Sequence, residues 1–344
     1  MPFKVVAISI ECDVAPGVGK SWTVGLRVGG VDYNAVISDN NLSARVPINA
    51  SIAALDDFFI ICTPSNTPAA AAVWGHLEVE AASFPVGSNV TNSIAASGYL
   101  GFFGWSQAIR TVESDVLQTV PIACTVRNLR LNLASGALVS GGYTATLMKN
   151  GVPTALSVSS GFAALDWSDT THSVSFAPGD TISWQITYNT PSSNRSIKIG
   201  CEVVPDVPGE AMIAFGTNGS TNNATPRYNT LFGGGQAWTT TEALCKLRMP
   251  RSVVKALYVG TDVAPGAAKS YAIDINKNGA QALTATVSGA AATTASQTGQ
   301  QIAVADGDYL TVKTTPSGAP AAAKARAAIA YTMPQNQFLE VFAT

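Results

Sequence analysis

Asp13-Val14-Ala15-Pro16-Gly17 stands near the start of the chain, and Asp262-Val263-Ala264-Pro265-Gly266 repeats it residue for residue. Lys20-Ser21-Trp22 returns as Lys269-Ser270-Tyr271, and Gly30 as Gly279, all 249 positions later. A second offset, of 128, carries Lys149-Asn150-Gly151 onto Lys277-Asn278-Gly279 and Gly179-Asp180 onto Gly307-Asp308. Self-similarity at fixed offsets is the mark of a repeated structural unit. The chain reads as three copies of one unit, and the nature of that unit decides the fold.

The middle copy shows its nature most plainly. Residues 126–133 alternate apolar and polar, the period of a half-buried strand. Tyr143–Met148 is a second strand, closed by Asn150-Gly151. That dipeptide marks a two-residue hairpin, because both turn positions need positive φ. Thr154–Val158 returns, and His172–Phe176, Thr181–Thr187 and Ser196–Val203 follow, with Pro178-Gly179-Asp180 as a turn. Gly161–Thr171 reads as a loop. The third copy keeps this order from Val254 to Tyr331 and the first from Phe3 to Val79. The Ala-rich run Pro320–Ala330 has helical propensity, but its repeat partners Val73–Val79 and Ile197–Val203 are strand-like, so it is expected to be loop plus strand.

Copies two and three each carry an extra leading half, at about Gly98–Pro121 and Ala211–Pro250, which copy one lacks. The expected fold is all-β: three tandem jelly-roll-like antiparallel β-sandwiches, the first without its leading strands. The expected boundaries are 1–85, 86–206 and 207–336, with a tail strand at 337–344. A sandwich without leading strands has open edges, which invite pairing. The alternating tail Gln337–Phe342 is one candidate to fill the gap and a neighbouring subunit is the other.

Composition narrows the function. Of 344 residues, 12% are charged and the net charge is −2, against about 25% charged in an average protein. This balance argues against nucleic acid as a partner. No apolar run is long enough to span a membrane as a helix, and the N-terminus reads as a strand rather than a signal peptide. Cys12, Cys62, Cys124, Cys201 and Cys245 are scattered and odd in number. They are expected to be reduced and mostly buried. With His76 and His172 the only histidines, no zinc pattern forms, and neither a metal nor a cofactor is expected.

The strand order resembles the trimeric jelly-roll heads of the tumour-necrosis-factor-like type. It also resembles the β-sandwich modules of tailed-bacteriophage fibres, tails and capsid-decorating proteins. The likeness lies in the sequence of strand, Pro-Gly turn, strand ending in Asn-Gly, strand, Gly-Asp turn, strand. It implies a virion surface protein assembled in the host cytoplasm, associating with itself (as a trimer for preference), with other virion proteins and with a host surface glycan.

Reaction chemistry is sparse. Gly17-Val18-Gly19-Lys20-Ser21 is similar to a phosphate loop, but it lacks the GxxxxGKS spacing and has a repeat partner. The acids Asp166 and Asp169 around Trp167, and Asp306 with Asp308, are candidate glycosidase pairs. Asp56, Asp57 and Asp180 are candidate calcium ligands, though turn formation explains such aspartates more simply. Trp105, Trp167 and Trp238 lie in Gly- and Ser-rich stretches, unlike the strand residues Trp22, Trp74 and Trp184. They are the candidate contacts for a glycan or a partner subunit. The sequence therefore points to a non-enzymatic structural protein, with a carbohydrate-binding module or adhesin as the alternative and a polysaccharide hydrolase behind it.

Overall fold

A computed structural model of the chain describes residues 3–343 except 13, 53–57, 70–72, 81–82, 90–93, 106–108, 134–137, 139, 162–163, 192–193, 232, 235–237 and 334–336. The described residues fold as mainly antiparallel β-sheets, with two short parallel pairings, short 3-10 turns at Glu113–Asp115 and Glu242–Cys245 and no α-helix. Contacts divide the chain into two compact units. Unit 1 comprises residues 1–84 with 333–344, and unit 2 comprises residues 85–332.

Unit 1 contains β1 (Phe3–Cys12), β2 (Gly17–Val28), β3 (Val31–Asp39), β4 (Ser43–Ile52), β5 (Phe58–Ser65), β6 (Val73–Glu80) and β28 (Gln337–Ala343). They form two sheets, ordered β28-β6-β1-β4 and β3-β2-β5. Val5, Ile8, Ile10, Val24, Leu26, Ile37, Ile52, Leu77 and Val79 are buried. The C-terminal segment is thus a strand, as its alternation predicts. It pairs antiparallel with β6 from Gln337↔Glu80 to Ala343↔Trp74.

In unit 2 the strands are β7 (Phe84–Asn89), β8 (Gly98–Leu100), β9 (Gly104–Trp105), β10 (Gln118–Thr119), β11 (Cys124–Leu133), β12 (Tyr143–Lys149), β13 (Val152–Ser159), β14 (Asp166–Phe176), β15 (Thr181–Tyr188) and β16 (Ile197–Pro205). There follow β17 (Glu210–Ser220), β18 (Arg227–Asn229), β19 (Gly233–Gly234), β20 (Leu247–Arg248), β21 (Ser252–Thr261), β22 (Gly266–Lys277), β23 (Ala280–Gly289), β24 (Thr294–Gln297), β25 (Ile302–Val304), β26 (Tyr309–Ser317) and β27 (Lys324–Thr332). They make four sheets. Their orders are β14-β11-β16-β7-β9, β10-β15-β12-β13 with β8 also on β15, β19-β17-β27-β21-β24 with β25 also on β21, and β18-β26-β22-β23 with β20 also on β26.

The pairing pattern recurs. β1, β11 and β21 each lie between a following hairpin-side strand and a closing strand, namely β6, β16 or β27. On the far side of that closing strand sits β28, β7 or β17. β28 therefore occupies in unit 1 the place that a leading strand occupies twice in unit 2. The three central hairpins turn alike. Gly29-Gly30, Asn150-Gly151 and Asn278-Gly279 all have positive φ at both positions, the geometry that matches the twist of the flanking strands.

One expectation is corrected. Asp166–Thr171 is strand rather than loop, because β14 pairs with β11 from Asn132↔Asp166 to Leu129↔Asp169 before a bulge. Polarity hid it: β14 is mostly exposed, so it lacks an apolar stripe. Thr294–Gln297 is a further strand, β24, concealed for the same reason. The Ala-rich run is loop followed by β27, as its repeat partners imply. Ala325–Tyr331 is buried on both strand faces, and β10 packs against β27. Small side chains allow that approach.

Removing residues 337–344 should strip β6 of one neighbour. Each lost ladder hydrogen bond costs about 0.5–1.5 kcal/mol. Hydrogen exchange should show faster exchange at Val73–Glu80 while the amides of β21 and β27 keep their protection. Unchanged exchange in β6 would show that β28 does not hold that edge.

Candidate functional site

Two of the three tryptophans, Trp105 and Trp167, stand apart. Trp105 in β9 and Trp167 in β14 lie at opposite edges of one five-stranded sheet, about 19 Å apart at four strand spacings. The side chain of Trp105 lies outside the described residues. Trp167 is half-buried, and its Nε1 lies 3.2 Å from the point where a Cβ on Gly161 would stand. Trp238, outside that sheet, meets buried Phe215 edge-on at 5.6 Å. Its indole N–H is buried with no hydrogen-bond partner among the described residues. Trp184, by contrast, is fully buried and stacks on Phe102.

Asp166 and Asp169 are three residues apart on one strand, so they face opposite sides of the sheet. Two carboxylates so placed cannot flank one glycosidic bond. Asp166 is exposed and accepts a hydrogen bond from Asn132 Nδ2 at 2.7 Å. Asp169 is buried at the start of the β14 bulge. It accepts bonds from the backbone N–H groups of Ser157, Thr171 and His172 at 3.1–3.2 Å. Thr171 Oγ1 and His172 Nδ1 also reach it, both at 2.9 Å. Burial pushes the Asp169 carboxyl up, but these hydrogen bonds together outweigh it and hold the group well below the usual carboxylate range. An ionised carboxylate only accepts, so His172 Nδ1 donates. The pair folds the bulge and ties β14 to β13.

The Gly-Asp turns are built twice to one plan. Asp180 accepts from Asn150 Nδ2 and the Ala177 N–H, each at 2.8 Å, and pairs with Lys149. Asp308 accepts from Asn278 Nδ2 at 2.6 Å and the Ala305 N–H at 2.8 Å, and pairs with Lys277. The Asn278 hydrogen bond is the main cause of the lowered pKa of Asp308. At Asp180 burial acts upward, and the Asn150 and Ala177 bonds outweigh it to leave the carboxyl low. Asp306 accepts from the Arg251 N–H at 2.7 Å. Asp306 and Asp308 are thus turn-builders, and Asp180 is too. Asp56 and Asp57 lie outside the described residues, and no cluster of three metal-ligating side chains occurs among those described. Gly17–Ser21 begins strand β2, where Gly19 N–H donates to Asp39 Oδ1; the described chain places no helix after it. The described cysteines carry no disulfide, and four of the five are buried. The His76 side chain lies outside the described residues.

One pair of recurrent acids was not singled out from the sequence. Ser183 Oγ donates to Glu113 Oε1 at 2.8 Å, and Thr311 Oγ1 and Asn276 Nδ2 donate to Glu242 Oε1 at 2.6 and 2.9 Å. Both glutamates sit in the 3-10 turns. The signal is present in the sequence at a third offset, 129, which relates Tyr99 to Tyr228, Glu113 to Glu242 and Pro121 to Pro250.

Asp169→Asn should destabilise the fold by about 1–3 kcal/mol at neutral pH, the cost of leaving buried donors poorly matched. The lowered pKa of Asp169 means that its contribution is complete above the ordinary carboxylate pKa of about 3.9 and is lost on further acidification. Denaturant titrations of both proteins at neutral pH and near pH 3 should show the difference between them shrinking. An equal difference at both pH values would contradict the role assigned to Asp169.

No family model matches the chain, and no curated protein is similar to it. Among solved structures it is matched with a structure of PNGF-II in a C2 space group, at 8% identity and a TM-score of 0.20, over 95% of this chain and 98% of that one. A likeness at that level carries no argument about fold or activity.

Proposed function

We propose that this chain is a non-enzymatic structural subunit of a viral particle, of the bacteriophage type, forming part of the capsid or tail surface through contacts with copies of itself and with other virion proteins. The observation that carries the proposal is what the acidic side chains do. Asp180 and Asp308, and again Glu113 and Glu242, perform one architectural task in two copies of the unit. Four of the 22 acidic residues of a chain that is only 12% charged are thereby given to architecture. Low charge also favours association, because little surface repulsion opposes it. Host attachment through a surface glycan would be an added role, with Trp167 and Trp238, both half-buried, the called contacts whose side chains are described.

Light scattering and electron microscopy of the purified chain over a wide concentration range should reveal defined oligomers. Antibody raised against it should label the surface of intact particles. A protein that stays monomeric at high concentration and labels no particle would overturn this proposal.

A further inference from the structure

We propose that Asn150-Gly151 and Asn278-Gly279 are latent sites of self-modification, by deamidation through a succinimide, and that the carboxylates of Asp180 and Asp308 hold them shut. The inference is independent of how the chain assembles.

The chemistry belongs to the dipeptide. The backbone nitrogen of the glycine attacks Cγ of the asparagine and a C–N bond forms. The bond from Cγ to the side-chain nitrogen breaks, and that nitrogen leaves as ammonia with the glycine N–H proton. Water then opens the ring at either carbonyl, giving aspartate or isoaspartate. The sequence of steps needs no oxidant, reductant or cofactor. Glycine favours the attack because no side chain obstructs its nitrogen, and asparagine counts among the thermolabile residues.

At both turns the nucleophile is free. Gly151 and Gly279 are exposed, and neither N–H has a hydrogen-bond partner among the described residues. A proton acceptor stands beside each. Glu113 Oε2 lies 3.6 Å from the point where a Cβ on Gly151 would stand, and Glu242 Oε2 lies 3.7 Å from the same point on Gly279. The electrophile, by contrast, is clamped at both ends. Asn150 Nδ2 donates to Asp180 Oδ1 at 2.8 Å, and its Oδ1 accepts the Thr181 N–H at 2.8 Å. Asn278 Nδ2 donates to Asp308 Oδ1 at 2.6 Å, and its Oδ1 accepts the Tyr309 N–H at 3.0 Å. The backbone N–H of each asparagine is held as well, by the Thr181 and Tyr309 carbonyls, both at 3.0 Å. To bring Cγ onto the glycine nitrogen, the carboxamide must give up a bond to an ionised carboxylate, the stronger kind of hydrogen bond.

Neither product fits the turn. Aspartate at position 150 or 278 sets a second carboxylate where an amide now donates to the first, and like charges so close oppose each other's ionisation. Isoaspartate lengthens the backbone of a two-residue turn by one carbon, against a geometry that fixes the register of both strands. Conversion therefore opens the hairpin without return. Copy one has Gly29-Gly30 at this turn and, with no carboxamide there, no such site.

The test uses the full chain, incubated for a prolonged period in mildly alkaline buffer. Peptide mapping by mass spectrometry, with isoaspartyl methyltransferase labelling, reads aspartate and isoaspartate at each site. Synthetic peptides of residues 144–156 and 272–284 give the rates without the clamp. In the unaltered protein both sites should convert about tenfold more slowly than in the peptides, the loss of one or two hydrogen bonds being worth such a factor. Asp180→Ala should speed Asn150 by about the same factor while Asn278 stays slow, and Asp308→Ala should do the reverse. Each variant thus carries its own control, because loss of the fold would speed both sites together; circular dichroism checks folding independently. If Asp180→Ala does not fold, Asp180→Ser replaces it, since a hydroxyl keeps an acceptor for the Ala177 N–H and is too short to reach Asn150. Rates in the unaltered protein equal to those of the peptides would overturn the inference without any variant. So would a folded variant in which the site facing the lost carboxylate converts no faster than before.

Discussion

A strand carries hydrogen-bonding groups on two edges, and a sheet is stable only when its outermost edges are paired, shielded or guarded. This constraint organises the whole chain. In unit 2 the closing strands β16 and β27 are each flanked by a strand that precedes its own copy in sequence. In unit 1 the same flank is met by β28, which follows unit 2 in the chain. One local requirement, pairing the free side of β6, thus brings the two ends of a 344-residue chain into one sheet.

Inside that frame, the charged residues act as staples. Glu78 is 2% exposed on β6 and receives both guanidinium donors of Arg45 from β4, each at 2.7 Å. Glu202 holds Arg127 in the same bidentate way in unit 2. Such forked, charge-assisted bonds fix geometry as well as adding energy. The Arg45–Glu78 and Arg127–Glu202 pairs span from one strand to another, and Asp169 folds a bulge. The apolar interior supplies most of the driving force, and the acids tie strand to strand.

The sequence discloses the strands that bury one face and the turns that need positive φ. Asn150-Gly151 and Asn278-Gly279 predict their hairpins because few other residues accept that backbone. The alternation of Gln337–Phe342 predicts β28, and the equivalence of Pro320–Ala330 with two strand-like segments outweighs its helical composition. What stays hidden has a common cause. β14 and β24 are largely exposed, so hydrophobic period does not mark them. β8, β9, β10, β19 and β20 are two or three residues long, too short for any period. The task of Glu113 and Glu242 depends on partners 70 and 69 residues away, a distance that no local pattern spans. Asp166 and Asp169 looked like a pair because they are close in sequence, and strand geometry separates them.

The closure of unit 1 by β28 has a temporal side. Roughly 250 residues separate the end of β6 from the start of β28. At the usual synthesis rate of about 5–20 residues per second, β6 waits on the order of ten to fifty seconds for its partner. Through that interval the flank of β6 is bare on the ribosome, while the strands of unit 2 are emerging and folding. Unit 1 is therefore completed only after the strands of unit 2 have been made, because β28 follows them in the chain.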